Sequence, residues 1–117
     1  VRGLDPADRA AYDAPFPTEE SKAGPRAMPG LVPNTPDDPA SDANRAAWEV
    51  LTGWERPFVV AFSDSDPITG AMAPILRKLV PGTRDQLHPV IENAGHFLQE
   101  DAGSDLGRAV ADAMSAT

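Results

Sequence analysis

The stretch Pro57-Phe58-Val59-Val60-Ala61-Phe62 most constrains what this chain can fold into. It is apolar throughout, not at alternate positions. A strand with one wet face alternates, so an unbroken run of this length predicts a central strand of a parallel sheet, covered on both faces. A second strand is expected over 86–91. Helices are expected over 41–53, with Ser41 as cap and Gly53 as stop, over 70–79, and over 104–115 with Leu106, Val110 and Met114 on one stripe. The order helix–strand–helix–strand–helix is that of an α/β sheet. Two strands cannot bury both faces of a sheet, so the run at 57–62 wants neighbours that this sequence lacks. Either the chain pairs with another molecule or it is the carboxyl half of a larger domain. The second option needs fewer assumptions, and a first residue that is Val1 rather than Met suits it.

Eight of the thirteen prolines fall in the first forty residues, so the composition shifts near Ser41. Asp5-Pro6 reads as a helix start, a capping acid before proline, leading into a short helix ending near Tyr12. Ala14-Pro15-Phe16-Pro17 is expected to be stiff and extended. Thr18-Glu19-Glu20 reads as another helix start, and Pro29 to Ala40 as either a disordered linker or an ordered surface loop. The net charge of −8, with Arg and Lys scattered, argues against nucleic acid and anionic membrane surfaces as partners. With no cysteine there is no disulfide, thiolate zinc site or cysteine nucleophile. No apolar run approaches the roughly 20 residues of a membrane helix, no signal peptide is visible, and a cytoplasmic location is expected.

Two segments stand just past the carboxyl ends of the expected strands, where ligands bind in open α/β sheets. The first is Ser63-Asp64-Ser65-Asp66-Pro67-Ile68-Thr69-Gly70, the second Glu92-Asn93-Ala94-Gly95-His96-Phe97. An acid and an imidazole on adjacent strand ends can meet. The carboxylate fixes the ring tautomer and leaves the other nitrogen as a general base. Each residue alone is unspecific: Asp66 before Pro67 suits a helix cap, and a lone histidine after a strand is usually structural. Gly95 suggests a tight turn allowing close backbone approach.

Phe58 to Gly70 followed by Asn93-Ala94-Gly95-His96-Phe97-Leu98-Gln99-Glu100 resembles the carboxyl-terminal part of an α/β-hydrolase. With Tyr12-Asp13-Ala14-Pro15-Phe16-Pro17 and Lys22 through Pro29, it is similar more narrowly to the haloalkane dehalogenases, in the subgroup whose catalytic acid comes late in the sheet. The resemblance implies residues 1–17 as the end of a helical cap domain and 18–117 as the carboxyl-terminal part of the core, with an incomplete sheet. It implies a two-step hydrolysis in which an aspartate displaces halide and leaves an alkyl ester, which histidine-activated water then cleaves. His96 would be the base and Asp66 its acid. Asp64 would be a capping or solvated residue, and the less favoured candidate for the acid. Phe16 and Pro17 would face a small apolar halogenated substrate, with Ile68 a weaker candidate for the same wall. Aspartate and water suffice for this chemistry, so no cofactor or metal is expected.

The departures from the family pattern matter as much. No nucleophile elbow, oxyanion-hole loop or tryptophan after a nucleophile is present. Trp48 and Trp54 match neither halide-binding position and read as structural, Trp48 in the core and Trp54 in a turn. The segment alone is therefore expected to be inert, its partner being the missing amino-terminal half of the same domain. An apolar strand running into Asp64-Ser65-Asp66 also begins the aspartyl phosphotransferases, but Lys78 sits within a helix and the second strand ends in Asn-Ala-Gly-His. A calcium loop would need a central glycine. His88, beside Pro89, reads as a surface or rim side chain. Within the fold, epoxide hydrolases need cap tyrosines and Tyr12 is the only tyrosine here, while ester and lactone hydrolases would use a serine nucleophile. A non-catalytic remnant that pairs through its apolar strand is the reading from a different class.

Overall fold

The computed structural model describes residues 3–116, and the chain forms two compact units, residues 3–48 and 49–116.

The first unit is held mainly by local hydrogen bonds. In helix α1 (Pro6–Asp13), Asp5 Oδ1 accepts the N–H groups of Ala7 (2.7 Å) and Asp8 (3.0 Å), satisfying two donors that a helix start leaves over. Ala14 stays helical (φ −53°, ψ −39°) although it precedes Pro15, and Phe16 N–H bonds Asp13 C=O at 2.9 Å. The stretch expected to be extended thus begins as a turn. The Ala14 N–H bond to Ala10 C=O outweighs the pre-proline preference. Thr18 and Ser21 exchange side chain–backbone bonds of 3.2 and 3.3 Å and open a 3₁₀ turn into helix α2 (Ala23–Ala27). Glu19 receives Lys22 Nζ at 2.9 Å and Arg26, and these cations hold its carboxyl below the usual range. The proline-rich loop is built of hydrogen-bonded turns. Ser41, expected to cap helix α3 (Ser41–Thr52), instead donates its hydroxyl to Thr35 C=O at 2.7 Å, which ties the loop to the helix. Trp48 is half-buried rather than core, and no apolar side chain among the described residues of this unit is fully buried.

The second unit contains strands β1 (Phe62–Ser63) and β2 (Val90–Ile91), parallel and in register Phe62↔Val90 and Ser63↔Ile91. Both are much shorter than expected. Pro89 has no N–H to donate, so the ladder cannot extend back along 86–89. His88 fills the gap with its side chain. Val60 N–H donates to His88 Nδ1 (3.2 Å), and His88 Nε2 lies 3.0 Å from Thr83 C=O, a pattern met by the neutral ring protonated at Nε2. His88 is therefore a half-buried cross-link, not a rim side chain. Residues 57–61 lie outside β1, and of them only Val60 is buried; Phe58, Val59 and Ala61 are half-buried and Pro57 is exposed. The double-sided burial that the apolar run calls for is not supplied within this chain.

Among the described residues the buried apolar ones are Val60, Val80, Ile91 and Ala94. Helix α4 (Met72–Leu79) lies between the strands in sequence, and the longer helix α5 (Leu98–Ser115) follows β2. Pro74 sits at the third position of α4, where its missing N–H would be unpaired anyway. Helix α5 starts six residues before the expected Ser104 and breaks at Ala102 (φ −146°, ψ 44°), with Glu100 and Asp101 in a favourable acidic first turn. Trp54, exposed in its turn, accepts Gly82 N–H at 2.7 Å through its carbonyl, and Phe58 N–H bonds Gly82 C=O at 2.9 Å.

Gly82 is boxed in, since a Cβ there would lie 1.9 Å from Arg56 C=O. Gly107, inside α5, has nothing within 4 Å. Gly82→Ala is expected to destabilise by about 1–3 kcal/mol, and Gly107→Ala to stabilise by about 0.5–1 kcal/mol. Urea midpoints check both; equal effects would contradict the packing at Gly82.

Candidate active site

Parallel neighbouring strands end on the same edge of the sheet, so the segments that follow β1 and β2 meet. The chain after β1 folds into an Asx turn at Asp66-Pro67-Ile68-Thr69. Asp66 Oδ1 accepts the N–H groups of Ile68 (2.8 Å) and Thr69 (3.1 Å), while Oδ2 accepts the Thr69 hydroxyl. Gly70 closes the turn against the Asp66 carbonyl, where a Cβ would come within 2.5 Å. No side chain larger than hydrogen fits there.

His96 reaches this carboxylate from the β2 side, its Nδ1 lying 3.0 Å from Asp66 Oδ1. The Asp66 side chain is 5% exposed and that of His96 29%. Burial pushes the Asp66 carboxyl up, but the Thr69 hydroxyl, the Ile68 and Thr69 N–H groups and His96 outweigh it and hold the group far below the carboxylate range. Asp66 is an anion, so Nδ1 must carry the hydrogen of this bond. In the neutral ring that leaves a lone pair on Nε2, which bonds no described residue. Phe97 meets the ring edge-on, centroids 5.0 Å apart, and limits its tilt. An imidazole so held can take a proton at Nε2.

Asp64 faces another way. Its Oδ2 and Oδ1 accept the N–H groups of Asn93 (2.9 Å) and Ala94 (3.3 Å), and the Asn93 bond chiefly pulls its carboxyl below the usual range. Ser63 Oγ donates to Gly95 C=O at 2.7 Å, Ser65 N–H to Ala94 C=O at 3.2 Å, and Gly95 N–H to Asp101 Oδ2 at 2.9 Å. The three residues before His96 are therefore pinned by their own backbone groups. The left-handed position in this turn belongs to Asn93 (φ 57°), not to Gly95, because asparagine tolerates that region among L residues.

Sequence reasoning missed Thr69 and Asp101 as parts of this cluster. The Asp-Pro-x-Thr order was a legible Asx-turn signal for Thr69, whereas nothing in the spacing marks Asp101, which the Ala102 break in α5 accompanies. Ile68 lies in the same turn and is 69% exposed. Phe16, half-buried, and Pro17, exposed, belong to the unit 3–48. An open cleft of about 600 Å³ between residues of the β2 approach and α5, including Val59, Leu87 and Ala113, is lined by none of Asp66, Ile68 and His96. Among the described residues no group of three or more His, Asp or Glu side chains could hold a metal ion, and no helix is long and apolar enough to cross a membrane.

The lowered carboxyls of Asp64 and Asp66 make folding acid-sensitive. Their stabilisation is present above the ordinary carboxylate value near pH 4 and is lost as pH falls through the lower folded values. Asp64→Asn, which retains an acceptor oxygen but cannot ionise, is expected to flatten the decline in melting temperature below about pH 4. An unchanged slope would show that the Asp64 contacts contribute nothing in solution.

No protein-family model matches the chain. Curated relatives do. The haloalkane dehalogenase of Psychrobacter cryohalolentis is 55% identical over 98 residues, covering 84% of this chain and 32% of its own length. That of Mycobacterium marinum is 51% identical over 110 residues, covering 94% of the chain and 37% of its own length. Haloalkane dehalogenase 1 of Mycobacterium tuberculosis is 50% identical over 109 residues, 93% of the chain and 36% of the relative. The chain spans about a third of the length of these relatives. With about half its residues identical across most of its length, the chain is a homologue of a carboxyl-terminal segment of the haloalkane dehalogenases.

Proposed function

We propose that these residues serve the hydrolytic dehalogenation of haloalkanes in an α/β-hydrolase, with His96 as general base and Asp66 as its acid. The observation that carries this reading is the 3.0 Å contact between His96 Nδ1 and Asp66 Oδ1 at adjacent strand ends, in a chain about half identical to proteins named for that reaction. The nucleophile, an aspartate, comes from sequence outside residues 1–117, with the donors that hold the halide. Its carboxylate oxygen attacks the halogen-bearing carbon, the carbon–halogen bond breaks, and the halide leaves with the bonding pair. An alkyl ester remains on the enzyme.

Water then attacks the ester carbonyl as His96 Nε2 takes its proton. The imidazolium is stabilised by Asp66 through Nδ1–H. Collapse of the tetrahedral adduct expels the alkoxide, which takes the proton from Nε2 and leaves as the alcohol, restoring the aspartate. Haloalkane and water become alcohol, halide and a proton, with no redox step. Ile68, in the same turn as Asp66, forms part of the apolar wall around the substrate in this reading. The carboxyl-terminal part of a two-domain enzyme supplies acid and base, and the rest of the protein completes the sheet beside residues 57–62.

In the full-length protein, His96→Ala is expected to release one halide per site and then stop with the alkyl ester trapped, readable as a mass increase on the enzyme. Sustained turnover by that variant would remove His96 from the base role. Asp66→Ala is expected to lower turnover on the order of 10³–10⁴-fold, whereas Asp64→Ala, which loosens only the turn before His96, should cost about tenfold. The reverse ranking in steady-state halide release would move the acid to Asp64.

A further inference from the structure

The two oxygens of Asp66 have different neighbours. Oδ1 accepts from Ile68 N–H, Thr69 N–H and His96 Nδ1, and Oδ2 from the Thr69 hydroxyl. The Asp66 side chain is only 5% exposed, so water is a poor substitute for a lost donor. A carboxylate turns easily about its last bond, where the torsional preference is broad. Three donors on one oxygen hold that oxygen but leave the plane free to pivot. Thr69 alone grips both oxygens, one through its backbone and one through its hydroxyl. The residue is itself fixed, because Met72 N–H bonds its carbonyl at 2.8 Å at the start of α4 and Gly70 packs against the Asp66 carbonyl.

We infer that Thr69 is a positioning residue for the Asp66–His96 pair: its hydroxyl sets the plane of the Asp66 carboxylate and so keeps Oδ1 on His96 Nδ1. The consequence for turnover rests on the roles proposed above, while the orientation is a property of this chain whatever it does. Without the hydroxyl, Oδ2 lacks a donor, the carboxylate pivots to share the Ile68 and Thr69 N–H groups, and His96 loses its fixed acceptor. A wandering Nδ1–H no longer holds the tautomer that exposes a lone pair at Nε2.

The test compares Thr69→Val, which keeps the shape and removes the hydroxyl, with Thr69→Ser, which keeps the hydroxyl. The direct readout is the proton NMR resonance of His96 Nδ1–H, assigned by its loss in His96→Ala and visible only while the hydrogen bond shields it from exchange with water. The resonance should survive in Thr69→Ser and broaden or vanish in Thr69→Val, with both variants folded by melting temperature. If Thr69→Val melts below the measuring temperature, Thr69→Ala removes the same hydroxyl and is read in its place. In the full-length protein, removing the hydroxyl should leave first halide release unchanged and slow ester hydrolysis about tenfold, a loss that Thr69→Ser restores. A folded hydroxyl-free variant that keeps the resonance overturns the inference, as does a folded Thr69→Ser that loses it. If the resonance responds as expected but no alkyl ester accumulates even in His96→Ala, the positioning role stands and the dehalogenation reading falls.

Discussion

The register of one parallel pair, Phe62 against Val90 and Ser63 against Ile91, underlies the rest of the site. Parallel strands deliver their carboxyl ends to one edge, and this offset leaves the chain after Ser63 beside the chain after Ile91. A one-residue slip would turn Ser63 and Ile91 to the opposite face and break the bonds from Asp64 to Asn93 and Ala94. So short a ladder cannot hold its register through main-chain bonds alone. Side chains reinforce it at both ends: His88 bonds Val60 N–H before the strands, and Ser63 and Asp64 bond the 93–95 turn after them.

Around that register the two aspartates of one loop divide the task. Asp64 grips the backbone before His96, and Asp66 grips the ring. Each carboxylate is held anionic by donated hydrogen bonds, so neither needs a nearby cation. The ring is thus held from both directions, so that His96 keeps one orientation. The Asp66–His96 pair lies in the second unit, where the few buried apolar side chains among the described residues also lie. The first unit relies on caps, turns and ion pairs.

The α/β character, the helix starts at Pro6 and Ser41 and the two loops were legible because each is written locally, in a cap, a stop or an apolar run. What misled was also local. Pro89 looked compatible with a strand until its missing N–H met a parallel partner. His88 looked peripheral until Val60 and Thr83 closed on it. Ser41 looked like a helix cap, yet its hydroxyl bonds back to Thr35 because the proline-rich loop brings that carbonyl within reach. Composition cannot foresee such exchanges, since each depends on which backbone groups another segment leaves unpaired.

By itself the sequence determined the chemical inventory: one loop with two carboxylates, another with a histidine, an apolar run too continuous for a wet strand, and a family likeness spanning most of the chain. The family likeness favoured Asp66 over Asp64, but only the tertiary structure shows how one carboxylate meets the imidazole and the other does not. Asp64 and Asp66 are two positions apart on the same loop, equally acidic and equally able to reach in principle. The Pro67 turn aims Asp66 at His96, and the strand register spends Asp64 on the N–H groups of Asn93 and Ala94. Hydrogen bonding is directional over about 3 Å, and only the folded chain sets distances that finely.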